Sequence, residues 1–145
     1  MKRLLFLILF CFAWKLISAP GHKELIIMQP QKIVPFDPIL YSFMKIESNF
    51  HADTVNSLGY AGVLQIGSEM IQDVNRICKL KGNPASYTLQ DRFNEGKSIE
   101  IWYTIMDYYN PSYDLKRASK IWNSTGGDKY YKLINQIYND LRKTT

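Results

Sequence analysis

The sequence predicts a mainly α-helical protein with a single folded domain, and three observations carry that expectation. Apolar residues recur at three- and four-residue spacing over most of the chain after residue 36. Helix-start signals stand just ahead of two of these patterns, at Asp37-Pro38 and at Thr88-Leu89-Gln90-Asp91. Clusters of Gly, Pro and Asn punctuate them. With 145 residues, one domain is the natural size.

The chain opens differently. Lys2 and Arg3 precede an uncharged apolar run from Leu4 to Trp14, followed by Lys15 and Ser18-Ala19-Pro20. A basic start with an apolar run this short fits a secretory signal peptide over residues 1–21 better than a membrane span. Pro20 disfavours cleavage after Ala19, so Gly21 is a competing exit point. A retained anchor through residues 4–19 is the alternative. Cys11 follows bulky Phe10, which argues against a lipoprotein site. The expectation is an exported protein of the periplasm or cell envelope.

Residues 22–145 form the expected domain, with 22–36 as a Pro-containing lead-in. The first helix starts with Asp37 as N-cap and Pro38 at the first helical position, where its missing N–H costs nothing. It runs through Leu40, Phe43, Met44 and Ile46 to about Glu47. Residues 48–67 carry Asn49, Asp53, Asn56, Ser57, Gly59 and Gly62, which predicts a long loop or a few short strands. A second helix begins near Ser68, with Met70, Ile71, Val74, Ile77 and Cys78 on one face, and ends around Lys81 to Pro84. A third is expected to run unbroken from the Thr88–Asp91 capping-box variant to the stop at Asn110-Pro111. A fourth spans Asp114 to about Trp122, and after Gly126-Gly127 a fifth runs from Asp128 through Ile134 and Tyr138 to Leu141.

Charge and composition exclude several functions. The 18 basic and 13 acidic side chains give +5, and loss of Lys2, Arg3 and Lys15 with the leader leaves +2. That is no nucleic-acid footprint. His22 and His51 lack metal-ligand spacing, so neither a metal nor another cofactor is expected. Cys78 is alone after the leader, so no internal disulfide is expected, and it reads as a small buried hydrophobe.

One residue suggests chemistry. Leu40, Phe43 and Met44 stand seven, four and three residues before Glu47, on the same helix face. A carboxyl set against apolar side chains has its charged form disfavoured, and its raised pKa suits a general acid near neutral pH. Solvent exposure at a fraying helix end is the competing expectation.

The surrounding motifs weigh against fraying. Glu47-Ser48-Asn49-Phe50 is similar to the Glu-Ser-x-Phe helix end of the soluble lytic transglycosylase family. Gly62-Val63-Leu64-Gln65-Ile66 resembles that family's Gly-Leu-Met-Gln-Ile motif at the matching separation, with Gly59 ahead of it. Ala118 to Asn123 followed by Gly126 resembles its Ala-Tyr-Asn-x-Gly segment, and Tyr130 to Ile134 its Tyr-x-x-x-Val helix. The four motifs lie in order and span residues 36–138.

The resemblance implies a lysozyme-like single domain with a groove for peptidoglycan glycan strands. It implies Glu47 as the catalytic acid and base. It also implies substrate contacts from Ser48, Asn56, Gly62, Gln65, Trp122 and Asn123, and a Tyr130 hydroxyl that reaches the catalytic carboxylate. Trp122 replaces a commoner tyrosine and offers a broader stacking face, Asn56 stands where a serine is frequent, and the spacer from Asn123 to Gly126 is slightly long. The implied reaction cleaves between N-acetylmuramic acid and N-acetylglucosamine to leave a 1,6-anhydro sugar. A hydrolytic muramidase, with a second carboxylate such as Asp53, Glu69 or Asp73, is one alternative. A non-catalytic glycan-binding module is another. A monomer serving a secretion or conjugation apparatus, or a phage's passage through the wall, is expected.

Overall fold

The computed structural model describes residues 36–144, so the expected leader and most of the lead-in lie outside the described residues. Five helices follow one another: α1 (Pro38–Ser48), α2 (Ser68–Leu80), α3 (Glu95–Tyr109), α4 (Leu115–Trp122) and α5 (Gly127–Thr144). A 3-10 turn covers Leu89–Phe93. There is no strand among the described residues; residues 48–67 form turns with two isolated antiparallel bridges, Val55 to Ala61 and Ala61 to Ile66.

Helix α1 starts where the sequence signals it. The Asp37 carboxylate accepts from the backbone N–H groups of Ile39 and Leu40 at 2.8 and 3.3 Å, so it satisfies two of the free donors at a helix start. Its other oxygen accepts from the Tyr103 hydroxyl at 3.1 Å, which ties the cap to α3. The helix stops because Asn49 and Phe50 take positive φ values of 53° and 68°. Asp114 caps α4 in the same way, accepting from the Arg117 N–H at 2.7 Å.

The expected third helix is two elements. Thr88 and Asp91 do form a capping box, but it opens only the 3-10 turn. Asn94 is extended (φ −96°, ψ 115°) and caps α3 afresh by accepting from the Lys97 N–H. The interruption turns the Arg92 carbonyl out of the helical ladder. There it accepts from the Ser98 hydroxyl at 2.9 Å and lies against Gly62.

Phe43 is fully buried at the centre of the core, with ring centroids of Trp102, Trp122 and Tyr130 5.9, 6.4 and 6.2 Å away. α1 thus packs on α5, and α2 packs on α3. Cys78 is buried and free, as its apolar setting on α2 predicts. The buried indole N–H of Trp102 has no hydrogen-bond partner and sits among the rings of Phe43, Tyr103 and Tyr113.

The 48–67 segment is exposed over residues 55–59 but turns inward from Ala61. Ala61, Val63, Leu64 and Ile66 are fully buried and supply a large part of the core. A buried loop must find partners for its backbone groups, and here side chains from elsewhere provide them. Ser48 Oγ donates to the Val63 carbonyl at 2.8 Å, and Trp122 Nε1 to that of Leu64 at 3.0 Å. One Arg92 guanidinium nitrogen donates to both Gly59 and Ile66 at 2.9 and 3.0 Å. Each such bond stabilises by about 1 kcal/mol net, and a buried carbonyl left without one costs about 1–3 kcal/mol.

Candidate active site

The end of α1, the 48–67 segment, the start of α2 and the α4–α5 connection surround a cleft of about 400 Å³. Glu47, Asn56, Gln65, Trp122 and Asn123 all line it, so five of the sequence-selected residues converge on one space. The cleft also holds Glu69 and Tyr60.

Glu47 is half-buried on the last turn of α1. Burial raises its carboxyl pKa above the ordinary value, and a hydrogen bond from the Tyr130 hydroxyl to Oε1 works against that rise. Tyr130 lies on α5, 7 % exposed and outside the cleft lining, so it holds the carboxyl from behind. Its own pKa is pushed far up, first by burial and then by the Glu47 charge. The hydroxyl therefore remains a donor at any pH near neutral. A carboxyl with a raised pKa, one oxygen oriented by a tyrosine and its side chain on a cleft can both give and take a proton.

The remaining selected residues are largely occupied with the protein's own backbone. Gln65, at φ 49°, donates from Nε2 to the carbonyls of Thr54 and Gly62 at 3.1 and 3.0 Å. Its Oε1 is what remains for a ligand. Asn56 Oδ1 accepts from the N–H groups of Leu58 and Tyr60, which closes the turn between them. Asn123 Oδ1 accepts from Gly126 N–H and Thr125 Oγ1, so its Nδ2 is the group left over. Trp122 lines the cleft but is only 8 % exposed, with its N–H donating to the Leu64 carbonyl.

Two expected substrate contacts lie off the cleft. Ser48 does not line it, because its hydroxyl is spent on Val63. Gly62 is buried at φ 81°, and a Cβ there would sit 1.7 Å from the Arg92 carbonyl oxygen. The close approach that requires glycine is to the protein's own backbone, not to a glycan.

Asp53, one of the candidates for a second carboxylate, is exposed and outside the lining. Glu69, another, is inside it. The local signal for Glu69 was thin, a first-turn acid on an amphipathic helix. Arg92 went unnoticed in the sequence because its role lies in carbonyls 26 and 33 residues away. No family of known proteins, no curated protein and no solved structure matches the chain.

Proposed function

We propose that the chain is a peptidoglycan lytic transglycosylase with a lysozyme-like domain, whose groove is the cleft at Glu47. The observation that carries the reading is the half-buried, Tyr130-bonded carboxyl of Glu47 on the wall of that cleft. The four motifs in family order support it further. Export to the periplasm or cell envelope, and local wall opening for a secretion, conjugation or phage apparatus, belong to the same proposal.

In the proposed reaction, protonated Glu47 gives its proton to the glycosidic oxygen as the bond from C1 of N-acetylmuramic acid breaks. The sugar's 2-acetamido group stabilises the cationic centre. The sugar's own C6 hydroxyl oxygen then bonds to C1, and its proton goes to ionised Glu47. Water is not consumed, and the enzyme ends in its starting protonation state. One carboxyl does both transfers, which suits a pKa lifted toward the working pH.

Hydrolysis is the second reading, because Glu69 supplies another carboxylate to the same cleft. Mass spectra of the products from purified peptidoglycan separate the two. Lytic cleavage leaves 1,6-anhydromuramic ends, whereas hydrolysis leaves reducing ends one water heavier. No cleavage at all would leave glycan binding.

A further inference from the structure

Glu69 is an exposed carboxylate in the first turn of α2 and part of the cleft lining. Ser68 Oγ donates to its Oε2 at 3.2 Å. Its own backbone N–H is the largest influence holding its carboxyl below the ordinary range; burial opposes it and comes next, and Tyr60 and Ser68 add smaller lowering effects. Gly67 makes room for this arrangement. A Cβ there would lie 2.4 Å from the Tyr60 ring and 2.6 Å from the Glu69 carboxylate oxygen. Tyr60 and Glu69 are therefore folded together over a glycine that admits them, on the wall of the cleft that holds Glu47.

Resting on the peptidoglycan reading of this cleft, we propose that Glu69 is a specificity-determining residue that receives a protonated primary amine of the substrate. Two sources carry that chemistry, a deacetylated glucosamine of the strand and the diamino acid of the stem peptide.

A carboxylate on the wall of a cleft has three possible uses. As a base activating water it is poorly suited, because its carboxyl is held below the ordinary range and is a weaker base for it. As an acceptor for a sugar hydroxyl its charge would be unnecessary. As a partner for an ammonium group the charge is the point, since a charge-assisted hydrogen bond is about twice as strong as a neutral one. Complementarity favours the third use. No lysine, arginine or histidine lines the cleft, so no side chain there neutralises Glu69 before the substrate arrives.

The test uses the full chain and its Glu69→Gln variant on four substrates: native peptidoglycan, the same material acetylated with acetic anhydride, amidase-trimmed strands, and trimmed strands de-N-acetylated in part. The expected result is that acetylation of native material lowers wild-type kcat/KM about fivefold, the size of an exposed ion pair. Glu69→Gln should cleave both at equal rates. The wild-type preference should also shrink at 0.5 M salt, where the screening length falls to roughly 4 Å, a response that a purely structural residue would not give. A preference lost on trimming assigns the stem-peptide amine, and one regained on de-N-acetylation assigns the sugar amine. Equal wild-type rates with and without amines, or an unchanged preference in Glu69→Gln, overturn the inference while leaving the enzyme reading intact. Hydrolytic products that vanish in Glu69→Gln would make Glu69 the base and overturn it too. Absence of cleavage on all four substrates removes the enzyme reading and the inference together.

Discussion

The Tyr130 hydroxyl donates to Glu47 Oε1 across 83 residues of sequence, joining the last helix to the end of the first. Burial lifts the Glu47 pKa and this bond restrains it. Tyr130→Phe removes the restraint alone, so the carboxyl should stay protonated to higher pH. Because Glu47 enters the proposed reaction as an acid, the alkaline limb of the kcat/KM profile should move to higher pH. Maximal rate should fall about tenfold, short of the 100- to 10,000-fold that general acid–base catalysis contributes as a whole. A pH–rate series on Tyr130→Phe beside Tyr131→Phe checks this, and a shift only in the second would assign the wrong tyrosine.

Glu47→Gln should abolish cleavage, a loss of at least about 100-fold, while keeping the fold. It should also stabilise the protein at neutral pH. The folded-state pKa of Glu47 lies above its unfolded value near 4.5, so the folded state binds the extra proton between the two. Wild-type stability is therefore fully present below about 4.5 and is lost as pH rises through the folded value. The amide does not titrate and avoids that loss. Thermal melts should show the variant ahead at neutral pH, with the gap closing as the pH falls through the folded value toward 4.5. A gap of constant size across pH would mean that burial of the charge is not its source.

Gly62 and Gly59 have almost the same φ, 81° and 82°, but different surroundings. A Cβ at Gly59 meets nothing within 4 Å. Gly59→Ala should cost about 1–2 kcal/mol, the strain of a left-handed backbone alone. Gly62→Ala adds a clash with the Arg92 carbonyl and should cost more than about 3 kcal/mol. Denaturant midpoints of the two variants would separate these contributions, and equal costs would refute the close approach.

Ser48 stands next to the candidate acid, yet its hydroxyl donates to the Val63 carbonyl. Ser48→Ala should lower stability by about 1 kcal/mol and leave KM unchanged, since no substrate contact is lost. A raised KM at full stability would return Ser48 to the substrate.

Several element starts were legible because their signal is local. Asp37-Pro38, the Thr88–Asp91 box and Asp114 all cap through residues two or three positions away. The apolar stripe leading to Glu47 was legible for the same reason, because a helix converts spacing into a face. The break at Asn94 was not, since the apolar pattern continues across it and masks the fresh cap that Asn94 makes on Lys97. Ser48 and Gly62 were legible as special but not as to purpose. Motif spacing locates a residue without saying whether its polar atoms are already taken. The burial of Val63 and Leu64 beneath turn-forming residues was equally hidden, because turn chemistry reports backbone bending and not depth.

The two groups of the Glu47–Tyr130 pair come from elements at opposite ends of the folded region, α1 and α5. Everything between them must be made, folded and closed up before the pair can exist. A chain that stops before Gly127 would carry the carboxyl and most of the cleft without the hydroxyl or the α5 face on which Phe43 packs. The active arrangement is thus the last to appear during synthesis, and closing so long a loop is slow relative to local helix formation. Under the proposed wall-cutting activity, finishing the site last is a form of timing, written into the order of the helices.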